Sequence, residues 1–188
     1  MSNSKAAIAA IIAAGLFAQP LVAQQPDPSD WDAVVEEARG QTVFWNAWAG
    51  DPRINEFIAW VGGEAEARYG VTLEHVRISD TATAVTQVLS ERTAGRDAGG
   101  AVDLIWINGA NFAAMLENEL LFGPFAEDLP NWALVDVEGK PAVTNDFTVP
   151  TMGMESPWAM AQFVFEYDTA RLQDPPRSVA ALADWIAA

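Results

Sequence analysis

The feature that most restricts this chain is a unit that recurs three times: a β-branched and aromatic run, a small or amide side chain, then a helix start. The runs are TVFWNAW at residues 42–48, VTLEHVRI at 71–78 and VDLIWING at 102–109, roughly 30 residues apart. After the first, Asp51 is placed to cap a helix and Pro52 to open it, where a missing N–H costs nothing. Ile54, Phe57, Ile58, Val61 and Tyr69 then fall on one side at helical spacing, and Gly70 ends the segment. Gly62-Gly63 weakens that helix by about 1 kcal/mol per glycine, so a kink is expected there. After the second run, Ala82, Val85, Val88 and Leu89 line one helical face and Gly95 stops it. After the third, residues 111–120 read as a short helix. A further helix precedes the first run, with Ser29 as N-cap, Asp32 three residues on and Gly40 as terminator. Strands separated by helices predict βαβ units and an open α/β sheet, mostly parallel and flanked by helices. The unbroken apolar stretch at 104–107 is what a strand covered on both faces requires.

Beyond residue 121 the periodicity loosens, and glycine- and proline-containing segments up to Trp158 read as long loops at a rim. Residues 159–168 are expected to form another strand. Ser178 then opens a helix with Val179, Leu182, Trp185 and Ile186 on one face. Helical periodicity still runs at Ala188 without a capping residue, so truncation inside a larger fold is expected.

Lys5 followed by an uninterrupted apolar run at 6–18 has the make-up of an export signal, with cleavage expected after Ala23. The run is too short to span a bilayer. Absence of cysteine rules out disulfides, thiolate metal sites and lipid attachment at cysteine. A net charge of -16 repels nucleic acid and anionic membrane surfaces. Together these predict a periplasmic protein with no nucleic-acid partner.

Catalytic groups are scarce. His75, the sole histidine, lies within a strand run and is read as packing rather than as a general base. Glu36-Glu37 and Glu64 with Glu66 lie on solvated helix faces, not as a glycosidase pair. GRDAGG at 95–100 lacks the Lys-Ser/Thr of a phosphate loop and precedes a strand. No catalytic residue, metal ligand or cofactor is predicted. An open α/β sheet instead binds ligands beyond the carboxyl ends of its strands. Those ends carry Asn46, Trp48 and Asp51; Ser79, Asp80 and Thr81; and Asn108 and Asn111. Each set adjoins a helix N-terminus with free N–H groups. Trp48 and Trp158 offer flat surfaces for stacking or cation–π contact, whereas Trp45 belongs to the strand and its core. Taken singly, each residue also fits ordinary capping or core packing; three strand ends with one chemistry favour a cleft.

The segment EYDTARLQDPPRSVAALADW at 166–185 resembles the first inter-lobe crossing of periplasmic substrate-binding proteins of ABC importers: a strand ending in Tyr-Asp, then Pro-Pro-x-Ser opening a helix. VFWNAWAGDPRINEFIAW, DTATAVTQVLSERTAG and GGAVDLIWINGANFAAM resemble the YnjB-like subfamily, distant relatives of thiamine- and iron-binding periplasmic proteins. The resemblance covers residues 41–188. It implies a type II-like binding-protein fold with two lobes and about twice this length, closing on a ligand by hinge motion. In that scheme residues 1–23 are the signal, 24–40 a leader and first helix, 41–167 the N-terminal lobe and 168–188 the crossing into an incomplete second lobe. The implied function is capture of a small solute by a monomeric receptor that docks on an ABC permease; the Trp and Asp content of the expected rim points to a small polar solute with a cationic or ring portion. Tyr69 and Tyr167 do not form the adjacent pair that tyrosine-type iron binding uses. The competing expectation is an exported enzyme with its catalytic residues beyond residue 188. A scaffold or adhesion protein would carry repeated sequence, and the three strand–helix units share a pattern but no internal sequence repeat.

Overall fold

The computed structural model describes residues 26–160 and 164–187. The expected signal at 1–23 lies outside them. Three parallel strands form the centre: β1 (Thr42–Trp48), β2 (Thr72–Ile78) and β3 (Leu104–Ile105), in the order β2-β1-β3. β1 and β2 pair along their full length, from Thr42 opposite Thr72 to Trp48 opposite Ile78, while β3 joins the other edge through Trp45–Leu104 and Asn46–Ile105. Because β1 is central, Trp45, Asn46 and Ala47 are all buried, which requires cover on both faces.

Each crossover supplies that cover. α2 (Pro52–Tyr69) buries Ile58, with Ile54, against Trp45, Ala47, Leu73 and Trp106. Asp51 caps it by accepting from the Arg53 N–H at 2.8 Å, and Gly70 closes it in a left-handed conformation. No break occurs at Gly62-Gly63. A β-carbon at Gly62 would stand 3.5 Å from that of Leu73, an ordinary packing distance, so neither a kink nor a close approach calls for glycine there. On the opposite face, α3 (Thr81–Thr93) and α4 (Gly109–Glu117) enclose a second core of Ile107, Phe112 and Met115, backed by Val85, Val88, Ile105 and Val149.

Four local expectations are corrected. α1 (Trp31–Ala38) is capped by Asp30, which accepts from the Ala33 N–H at 3.1 Å; the Ser29 hydroxyl instead donates backwards to Asp27 at 2.8 Å. The third strand is only two residues long, flanked by single bonds from the Asp103 N–H to Phe44 and the Trp106 N–H to Asn46. α4 begins at Gly109 rather than at 111, because a carboxylate from a distant hairpin meets its first N–H. The strand expected at 159–168 is absent from its described residues, 159–160 and 164–168; residues 161–163 lie outside them.

The region read as loops holds three single-turn 3-10 helices and a small hairpin, β4 (Asn145–Asp146) with β5 (Val149–Pro150). α5 (Val179–Ala187) follows its expected cap, Ser178, whose hydroxyl accepts from the Ala181 N–H at 3.1 Å. A buried carboxylate steadies the turn before β3: Glu91 accepts from Gln87 Nε2 at 2.5 Å and from the Ala101 N–H at 3.3 Å.

Candidate functional site

The order β2-β1-β3 reverses direction at β1: the chain crosses to one side through α2 and returns to the other through α3. At such a switch point the crossover helices leave the sheet on opposite faces, and a crevice opens beyond the strand ends. An open concavity of about 370 Å³ lies there, lined by Trp48, Ser79, Asp80, Thr81, Trp106, Asn108 and Asn111.

Each part is held from below. Asp80 caps α3 by accepting from the Ala82 N–H at 2.9 Å. The Thr81 hydroxyl donates to the Trp106 carbonyl at 3.2 Å, tying the start of α3 to the end of β3. Asn55 Nδ2 donates to the Ala49 carbonyl at 3.1 Å, fixing the turn after β1. Trp48 keeps 40 % of its surface exposed, and its ring lies edge-on to Trp106 with centroids 6.2 Å apart. Gly50 makes that pose available, since a β-carbon there would overlap the Trp48 indole. Gly50→Ala is therefore expected to displace the indole while leaving the side chain present; the Trp48 signals in near-ultraviolet circular dichroism report it.

Six of the nine residues expected at the site line this concavity: Trp48, Ser79, Asp80, Thr81, Asn108 and Asn111. The other three stand elsewhere. Asn46 is buried within the sheet, its Nδ2 donating to the Ala101 carbonyl at 3.4 Å. Asp51 is engaged by Arg53 through a 3.0 Å ion pair and the α2 cap, and the Arg53 side chain holds its carboxyl below the usual range. Trp158 packs on the α2 side of the sheet, its ring centroid 5.3 Å from Trp45 and 5.6 Å from both Phe57 and Trp106.

Two contributors escaped the sequence reading. The apolar run 104–107 places Trp106 in a buried strand, although its position two residues before Asn108 matches a strand end. Asp146 comes from the β4–β5 hairpin, and its carboxylate accepts from the Gly109 N–H at the start of α4, where Asn108 makes no side-chain cap. No local pattern links residues 37 positions apart.

A larger depression of about 440 Å³ runs along α3, lined by Ala82, Thr83, Thr86, Gln87 and Ser90. The Thr86 and Ser90 hydroxyls are both committed to carbonyls one turn back, at 2.8 Å each, so a ligand would find few unspent donors. It also lies away from the strand ends, and convergent polar groups from several elements favour the smaller concavity.

Beside the hairpin, Glu155 is half-buried, and its pKa is pushed up to about 7, first by desolvation and then by the nearby Asp146 charge. An acid raised from 4.5 in the unfolded chain to about 7 in the fold stabilises the fold fully below pH 4.5; that contribution is lost as pH rises towards 7. After discounting for solvent screening, Glu155→Gln is expected to raise the unfolding free energy by about 1–2 kcal/mol above pH 7 and to leave it unchanged near pH 4. Urea unfolding at both pH values measures the difference, and equal values would place Glu155 in water.

Among the described residues no group of three or more His, Cys, Asp or Glu could hold a metal ion, and no helix is long and apolar enough to cross a membrane. A model of the bacterial extracellular solute-binding protein family matches residues 60–188. Protein YnjB of Escherichia coli K12 is 45 % identical over 157 residues, covering 84 % of this chain and 40 % of that protein. The chain thus spans well under half the length of the curated relative it matches. No solved structure matches significantly.

Proposed function

Because the chain belongs to the bacterial extracellular solute-binding protein family, we infer that the concavity beyond β1, β2 and β3 is one wall of a solute site. The observation that carries this reading is the convergence of Trp48, Asp80, Trp106, Asn108 and Asn111, from three strand ends, on one open crevice. Two indoles offer flat apolar faces, two amides offer donors and acceptors, and Asp80 is the single charged side chain of the lining. Such a wall suits a small polar solute with a cationic or flat-ring portion, and has no cation with which to pair an anion.

In this reading the protein is an exported, monomeric receptor with no catalytic role. Residues 1–23 act as its leader, 41–167 as the site-bearing lobe and 168–188 as the crossing towards a second lobe. Closure of that lobe would sequester the solute and present it to an ABC permease.

Thermal unfolding of the chain with thiamine, spermidine, glucose and amino acids in turn tests the reading. A solute at a hundred times its Kd should raise the midpoint by about 5–10 °C; no shift with any of them would count heavily against a receptor. Trp48→Ala is expected to weaken binding by at least about tenfold, as aromatic anchors of binding sites do. It should cost about 2 kcal/mol of stability, less than loss of a fully buried ring, because 40 % of its surface is already in water. The reverse pattern would return Trp48 to the core.

A further inference from the structure

Phe147 occupies a position that its backbone gives it no reason to hold. It is the first of two residues joining Asn145–Asp146 to Val149–Pro150, and its φ is +54°. Two-residue hairpin turns with positive φ at this point ordinarily take glycine, asparagine or aspartate, because a β-carbon crowds the backbone. Burial does not compensate: Phe147 is 74 % exposed.

The ring stands instead over the first residue of α4. Its Cε2 and Cδ2 atoms lie 3.5 and 3.6 Å from where a β-carbon on Gly109 would stand, next to the lining residue Asn108. The hairpin is also fastened. Asp146 accepts the Gly109 N–H, the Thr151 N–H and hydroxyl both donate to the Thr144 carbonyl, at 3.0 and 3.3 Å, and Val149 joins the α3–α4 core. An unburied aromatic ring thus stands beside Gly109, the next residue in the chain after Asn108 of the lining, on a hairpin anchored to α4 and the α3–α4 core.

We propose that Phe147 is a specificity-determining contact of the solute site, meeting a flat, positively charged ring from the hairpin side as Trp48 and Trp106 meet it from the sheet side. The inference rests on the reading of the concavity as a solute site and narrows its ligand class to cyclic, ring-borne cations. Aromatic faces attract both flat rings and cations. Cationic charge is tolerated here, because the lining holds Asp80 and no cation and the adjoining hairpin brings Asp146 to the start of α4.

Titration calorimetry with two probes tests it: thiamine, whose charge sits on a flat ring, and spermidine, an aliphatic polycation. Phe147→Ala is expected to weaken thiamine binding by about three- to thirtyfold and spermidine binding by less than about twofold. Phe147→Gly should lose the same affinity while melting at or above the temperature of the unaltered chain, since glycine relaxes the left-handed position. That result separates lost contact from lost folding. If both variants bind thiamine as tightly as the unaltered chain while Trp48→Ala does not, the proposal falls and the solute site stands. Equal losses for both probes would also overturn it, by making Phe147 a general rather than a selective contact. Failure of the unaltered chain to bind thiamine would overturn the proposal; the reading beneath it falls as well only if glucose and amino acids also leave the melting temperature unmoved.

Discussion

Replacing Trp45 by alanine is expected to lower the unfolding free energy by about 3–5 kcal/mol, the range for truncating a large aromatic in a packed core. The indole is 6 % exposed and sits on the central strand among Ala47, Ile58, Leu73 and Trp106. Its ring also packs nearly perpendicular to that of Trp158, with centroids 5.3 Å apart, so truncation removes a neighbour from a second tryptophan. The central strand cannot collapse into the void without breaking its pairing with β2 and β3 on either side. Urea unfolding followed by far-ultraviolet circular dichroism measures the loss without relying on tryptophan emission. A change below about 1 kcal/mol would mean that the ring carries little of the core. The contrast with Trp48→Ala is the point of the experiment: two tryptophans three residues apart are expected to fail in different assays.

Phe112→Ala is expected to cost a similar 3–5 kcal/mol or so, and to reach the site as well. Phe112 is fully buried on α4, packed with Ile107 and Met115 and backed by Val85 and Val88 of α3. It directly follows Asn111, and the helix it anchors also begins at Gly109, where the hairpin carboxylate docks. Loss of the ring should therefore loosen the α3–α4 contact and lower solute affinity together with stability. Phe112→Leu keeps most of the volume and should cost less than about 1.5 kcal/mol, with affinity retained. A Phe112→Ala variant with native stability would mean that α4 is held by its caps alone.

Much of the architecture was legible in local pattern. Thr42–Trp48, Pro52–Tyr69 and Thr81–Thr93 stand within one or two residues of their expected places, because alternating and helical spacing, capping aspartates and a terminal glycine all agreed. Of the candidate site, the strand-end residues were legible for the same reason: a strand that stops in a capping residue announces the crevice side of the sheet. Asn46, Asp51 and Trp158 occupied the right part of the chain but other surroundings. Direction within a strand end depends on which neighbours arrive, and Ala101, Arg53 and the Trp45–Phe57–Trp106 cluster claimed these three side chains. The third strand departs from its pattern: the apolar run 104–107 predicts cover on both faces, yet β3 is a two-residue edge strand with Leu104 44 % exposed, and burial comes only further on at Ile107.

By itself, then, the sequence determined the alternation of strands and helices, the parallel sense of the sheet and the side on which a site could form. These follow from interactions within about one turn or one strand of each residue, which a linear pattern records. Tertiary structure alone decided which side chains share the crevice. It set β1 at the centre and Trp106 beside Trp48, and it brought Asp146 to the start of α4 with Phe147 next to it. Those juxtapositions join residues far apart in the chain, and they exist only because burying both faces of a three-stranded sheet draws a distant hairpin onto its rim.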